Sequence, residues 1–329
     1  MMNRSIKNCW EQLKKAYQKK NDPPIKLDFE KNLNSKVNFL IARVDNNYGI
    51  ILESEKKYFP VLKKKPLSEN FEFQVRLDGK KKFYWFFLKN DNAFGQEKFE
   101  MLCFDIINKS SQINNPSSAI SMFVSTIIEW QDFFKEKRQP LGKNGIQGLY
   151  AELLFMEKYL IPNIGIENAV AGWKFIEKTH DFTLNSLTVE VKSTTQSPIK
   201  KIEINSLKQL DETLVNNLYL YMVQLNSKGT DNLVTIIDRL KKTIRKNSYP
   251  SFYRFQKILL EEGYDPIFKN EISKYKFSLN KELFFLVDKK FPRLKSSDLN
   301  SNILDAKYSI NINNEKIFNK KNFISLLKT

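Results

Sequence analysis

At 329 residues with 41% hydrophobic side chains, the chain can form more than one globular domain, and its formal charge of +17 points to a polyanionic partner such as nucleic acid. Lys, Asn, Ile and Phe are all abundant, as in coding DNA rich in A and T, so the basicity alone decides little. Two distant cysteines and a single histidine exclude His-based zinc sites and argue against a Ser-His-Asp triad, and no GxxxxGK[ST] phosphate loop occurs.

Taken from the N-terminus, Ile6, Trp10, Leu13 and Tyr17 have helical spacing over 4–20, and Asp22-Pro23-Pro24 ends that helix. From Val37 to about Phe104 the pattern becomes that of strands. The runs VNFLIARVD, YGIILES, YFPVL, FEFQVRLDG, KFYWFFLKN and FEMLCFDII are separated by Asn, Asp, Gly and Lys clusters, which predicts an antiparallel β-rich module. The aromatic run FYWFFL, 83–88, could stack on bases, but in a strand it reads first as core. A helix follows over about 117–137. The polar joint KEKRQPLGKNG then separates an N-terminal module, 1–138, from a second domain, 139–329. No run is long enough to span a bilayer, and the lack of disulfide framework fits a cytoplasmic protein.

The second domain opens with the helix IQGLYAELLFMEKYLI, in which Leu149, Leu153, Met156 and Leu160 share one apolar face. Glu152 lies at the edge of that face, where a carboxylate wants a cation or a donor. The stretch HDFTLNSLTVEVKST, 180–194, then reads as two short strands joined by Asn185-Ser186. Such a loop sets Leu184 opposite Leu187, Thr183 opposite Thr188, and Asp181 opposite Glu190, with Lys192 on the same face. Two opposed carboxylates repel unless a divalent cation such as Mg²⁺ sits between them. The bare spacing recurs elsewhere, at Asp45 with Glu55-Lys56-Lys57 and at Asp288 with Asp305-Ala306-Lys307. What distinguishes 181–192 is its alternation, its turn and its upstream helix.

Further on, KIEIN (201–205) reads as a third strand, and Ser206 with Gln209 has the spacing of a helix-capping box. LYLYMVQL (218–225) reads as a strand buried on both faces. The helix over 231–246 turns Leu233, Ile236, Ile237, Leu240 and Ile244 inward. Its outer side carries Arg239, Lys241, Lys242, Arg245 and Lys246, a candidate backbone-tracking surface or an ordinary solvated face. A helix around 250–262 and strands near 281–288 and 307–312 complete the chain, with Arg293 a weaker candidate for phosphate contact.

Asp181 followed by Glu190-Val191-Lys192 resembles the core of the PD-(D/E)XK nucleases, the restriction-endonuclease-like superfamily. Together with GLYAELLFMEKYL and Trp173, these residues resemble an uncharacterised branch often encoded beside restriction-type defence genes. His180 stands where the motif has Pro, and Lys174-Phe175 where that branch usually has Gly-Pro. The resemblance implies an α/β fold with a mixed sheet flanked by helices, preceded by the smaller β-rich domain. It implies a metal-dependent endodeoxyribonuclease using Mg²⁺, with Mn²⁺ as a substitute, and products with 3′-hydroxyl and 5′-phosphate ends. Asp181, Glu190 and the Val191 carbonyl would hold the metal, Lys192 would position the attacking water, Glu152 would join the metal shell or orient the lysine, and Gln209 would lie near the phosphate. DNA is the partner implied, with RNA an open alternative, alongside other subunits of a defence system. A second reading is a catalytically silent nucleic-acid-binding or assembly subunit.

Overall fold

The computed structural model describes residues 5–15, 25–44, 47–62, 66, 70–89, 95–135, 139–174, 179–184, 187–199, 201–211, 215, 217–295, 298–300 and 302–328. The predicted Tyr17, the Asp22-Pro23-Pro24 stop, Asp45, residues 136–138 of the polar joint and the Asn185-Ser186 turn lie outside them. The chain forms two compact units, Met1–Lys137 and Arg138–Thr329.

Among the described residues, the first unit has α1 (Ile6–Lys14) before a sheet of β1 (Ile25–Lys31), β2 (Asn38–Val44), β3 (Asn47–Glu55), β4 (Phe71–Asp78) and β5 (Lys81–Leu88). All neighbours are antiparallel, in the order β1-β2-β3-β5-β4. Helices α2 (Gln96–Ser111) and α3 (Pro116–Lys135) follow. The predicted strand FEMLCFDII is therefore part of helix α2. Phe99, Leu102, Cys103 and Ile106 have helical spacing, but Met101, Phe104 and Ile107 are buried too, so the run is apolar on nearly every side and its period is hidden. YFPVL is no strand either: Lys56–Tyr58 is a single 3₁₀ turn followed by irregular chain. Strand β1 went unpredicted because it lies at the sheet's edge and none of its residues is fully buried. In β5, Phe83, Tyr84, Phe86 and Phe87 are buried and only Trp85 is half-exposed, so this aromatic run is core.

The second unit begins with α4 (Lys143–Phe155), a π-helical turn (Met156–Leu160) and α5 (Ile161–Gly172), which breaks at Gly165 with φ +78°. Next come β6 (Phe182–Thr183), β7 (Thr188–Thr194), β8 (Lys201–Ile204) and β9 (Leu218–Asn232). Helices α6 (Leu233–Asn247) and α7 (Tyr249–Glu261), a short helical stretch over Pro266–Phe268 and Lys269–Ile272, strands β10 (Lys276–Leu286) and β11 (Tyr308–Asn311), and helix α8 (Lys320–Leu327) follow. One sheet runs β10-β9-β7-β6, with β7 and β9 parallel and the other pairs antiparallel. KIEIN is a strand, but it pairs with β11 in a separate two-stranded ribbon.

This ribbon covers one face of the sheet through Ile202, Ile204 and Ile310 against Leu220, Met222 and Phe285. Helices cover the other face, where the Phe155 ring stands 4.8 Å from Tyr221 and 5.3 Å from Phe182. Strand β9 is buried on both sides from Leu218 to Leu225, which explains its unbroken apolar run. The fold is mixed α/β, with a β-rich N-terminal region.

Candidate active site

The hairpin of β6 and β7 sets the register of the site. Phe182 pairs with Val189, Thr183 with Thr188, and the Leu184 N–H donates to the Leu187 carbonyl at 2.9 Å. One step outward in that register, Asp181 comes opposite Glu190. Strand β6 is only two residues long, so the Asp181 side chain takes over at the edge of β7: its Oδ2 accepts from the Val191 N–H at 2.7 Å. The backbone before β6 is tied down as well. Trp173 bridges to Phe182, and the Lys174 N–H donates to the Asp181 carbonyl at 2.9 Å. Gly172 allows the end of α5 to close on β6, since a Cβ there would stand 2.8 Å from the Thr183 carbonyl.

Glu152 reaches the same place from α4. It is buried, its Oε2 accepts from the Trp173 indole at 2.9 Å, and its Oε1 lies 3.3 Å from the Lys174 ammonium. That ammonium also lies 2.6 Å from Asp181 Oδ1 and 3.8 Å from Glu262 Oε2. Glu190 is only 2% exposed, and its Oε1 lies 2.9 Å from Lys192 Nζ. Lys192 is held from a second side by Gln209, whose Oε1 accepts from Nζ at 2.8 Å and from the Asn205 N–H at 2.9 Å. Residues 207–210 form a 3₁₀ turn rather than the start of a helix. The Gln209 side chain thus reaches Asn205 and the lysine instead of closing a capping box on Ser206.

The acids outnumber the ammoniums that touch them, and burial makes their ionised forms costly. Burial, with Asp181 adding to it, pushes the Glu190 carboxyl up to about 8 against the pull of Lys192. Burial and Asp181 likewise push Glu152 well above the ordinary carboxylate range, despite Lys174 and the Trp173 indole. Burial works against the charge of Lys174, but Asp181, Glu152 and Glu262 outweigh it and raise its pKa. His180 is buried beside them, its Nε2 has no hydrogen-bond partner among the described residues, and burial holds its pKa low. It serves there as a neutral ring.

Glu152, Asp181, Glu190, Val191, Lys192 and Gln209 line one cleft of about 550 Å³, with Asn144, Gln147 and Gly148 of α4 on one wall. The Gln147 amide spans toward β7, donating to Ser193 Oγ at 3.1 Å. The basic candidates are elsewhere. Lys241, Lys242, Arg245 and Lys246 lie on α6 and Arg293 in the loop after β10, and none lines the cleft. Arg239 is engaged by Glu157 and Asp231, the Arg245 guanidinium lies 5.1 Å from the Phe252 ring centre, and Arg293 donates to the Asp288 carbonyl. The competing Asp305 spacing is structural, because that carboxylate caps the Leu207 and Ala306 N–H groups.

Clustered carboxyl groups offer hard oxygen donors that suit Mg²⁺ or Mn²⁺. Among the described residues, though, no three acidic, His or Cys side chains already surround one point as ligands. The Lys174 ammonium lies between Asp181 and Glu152 instead. Sequence reasoning gave no role to Lys174, nor to Gln147. Both act through contacts across the fold, and no periodicity marks them. Trp173 had a signal, as part of the resemblance, though not one for its bond to Glu152.

A family model described as "Putative PD-(D/E)XK family member, (DUF4420)" matches residues 6–313 of the chain. No curated protein and no solved structure matches it. Among the described residues, no helix is long and apolar enough to cross a membrane.

Proposed function

The chain belongs to this PD-(D/E)XK family, and on that premise we propose that it is a Mg²⁺-dependent phosphodiesterase that cuts DNA, with its chemistry in the second unit. The observation that carries this reading is the convergence of Asp181, Glu190 and Glu152 with Lys192 in one cleft, at a charge balance that leaves room for a divalent cation. Asp181 and Glu190, with Glu152 and the Val191 carbonyl, are the groups that would hold the ion. When bound, such an ion polarises a phosphoryl oxygen and lowers the pKa of a water.

The remaining chemistry falls to the chain's own side chains. Lys192 directs its ammonium into the cleft, where it can orient a water and stabilise negative charge developing on a phosphate. Gln209 and Glu190 fix that ammonium from two sides, so it needs little reorganisation as charge builds. Trp173 holds the Glu152 carboxylate by one oxygen and leaves the other facing the Lys174 ammonium. The biological setting proposed, restriction-type defence, rests on the sequence resemblance alone.

The test is digestion of labelled DNA and RNA, in parallel, with Mg²⁺ or Mn²⁺. Wild-type protein is expected to cut DNA, while Asp181→Ala and Lys192→Ala keep the fold and lose the activity. Cleavage at wild-type rates by either variant refutes the assignment. Salt-dependent DNA binding without cleavage or metal uptake by the wild type favours the silent-subunit reading.

A further inference from the structure

The nuclease reading gives no task to Lys174, which lines the cleft and, unlike the exposed Lys201 at its edge, is buried among the acids. Its Nζ lies 2.6 Å from Asp181 Oδ1 and 3.3 Å from Glu152 Oε1, with Glu262 Oε2 at 3.8 Å, and its side chain is only 11% exposed. Lys192 is shared between an acid and the neutral Gln209, but these contacts of Lys174 are all to carboxylates. Its backbone is fixed apart from its side chain: φ is +48°, and its N–H is bonded to the Asp181 carbonyl. A flexible four-carbon stem therefore carries the ammonium into the acids from an anchored base, and can withdraw it without disturbing the hairpin.

We propose that the Lys174 ammonium is a built-in stand-in for the divalent cation, neutralising Asp181 and Glu152 while the site is metal-free and displaced when metal loads. A Mg²⁺ ion binds a carboxylate oxygen at about 2.1 Å. An ion on Asp181 Oδ1 would therefore crowd an ammonium 2.6 Å from that oxygen and be repelled by its like charge. Metal and lysine compete for the same acids, so each lowers the occupancy of the other. This explains why acids suited to a cation are not already arrayed around one point. The inference rests on the nuclease reading.

Calorimetric titration with Mn²⁺ alone, on the full chain and on Lys174→Met, tests it. Removing the competing charge is expected to tighten Mn²⁺ binding by roughly tenfold. Without metal the variant melts below wild type, and Mn²⁺ raises its melting temperature by more than it raises that of wild type. A folded Lys174→Met that binds Mn²⁺ no better than wild type overturns the inference. Should that variant fail to fold, Glu262→Gln decides, since Glu262 touches the ammonium from outside the proposed metal donors. It is expected to tighten Mn²⁺ binding about twofold, and an unchanged or weaker affinity overturns the inference. Equal Mn²⁺ binding by wild type and Lys174→Met removes the Lys174 inference alone; no binding by either removes the nuclease reading with it.

Discussion

Two acids on the same sheet, Glu190 on β7 and Glu282 on β10, make opposite use of their burial. Glu282 is matched on every side: the hydroxyls of Tyr159 and Tyr221 donate to it at 2.7 and 2.8 Å, and the ammoniums of Lys158 and Lys320 lie 2.6 and 3.3 Å away. Burial works to raise its pKa, but those donors outweigh it and hold the carboxyl below the usual range. Glu190 is more deeply buried, has Lys192 at 2.9 Å, and faces Asp181 instead of a hydroxyl. Its carboxyl is pushed up rather than down. A half-buried acid with four donors is structure, whereas a buried acid whose neighbour is another acid has a binding capacity left over.

The sharpest way to break this contrast is cleavage. Lys192→Ala or Asp181→Ala should cut DNA hydrolysis by roughly 10³-fold or more, whereas Glu282→Gln should leave the rate per folded molecule unchanged. A comparable loss from Glu282→Gln, measured at a temperature where it stays folded, would erase the distinction.

Stability separates them next. Glu282→Gln removes charge-assisted bonds and should cost about 1–2 kcal/mol near neutral pH in denaturant titrations. Its folded pKa is depressed, so this stabilisation is present above the ordinary carboxylate range and lost as pH falls through the folded value. The difference from wild type should therefore vanish in acid.

Glu190 should behave with the opposite sign. Its folded pKa is raised to about 8, so the folded state holds a proton that the unfolded chain has already released. The contribution of Glu190 is fully present below the ordinary carboxylate range and is lost as pH rises through about 8. Metal-free Glu190→Gln should accordingly melt above wild type at pH 8 and converge with it toward pH 5. A variant that melts below wild type across this window contradicts the assignment.

The smallest effect belongs to Gln209. Gln209→Ala frees the Lys192 ammonium on one side and should lower the cleavage rate about tenfold, while Mn²⁺ affinity stays the same. A fall in metal affinity would mean that Gln209 acts on the acids rather than on the lysine.

The sequence was informative where a local period met a turn. The alternation of Phe182, Leu184, Val189 and Val191 announces the hairpin, and the observed pairs Phe182–Val189 and Thr183–Thr188 follow the same register. The buried run of β9 and the amphipathic α6 are legible for the same reason, each presenting a pattern that its packing demands. Helix α2 is not, because burial on nearly all sides erased its period. The 3₁₀ turn at 207–210 is another case: Ser206 and Gln209 have capping-box spacing, but the chain leaves helical geometry at Asp211. Lys174 is hidden more deeply. Its contacts come from α4, the end of α7 and the residue before β6 meeting around one atom, and no stretch of sequence contains that meeting. The basic residues of α6, plain in sequence as a charge pattern, are not among those that line the cleft.

Calorimetric titration of wild type, Glu190→Gln and Glu282→Gln with Mn²⁺ puts the contrast between the two acids to its most direct trial. Saturable binding by wild type and Glu282→Gln, abolished in Glu190→Gln, is the predicted result. The same binding heat from all three proteins, or none from wild type, would contradict the claim that the acids of β6 and β7 are held ready for a divalent cation.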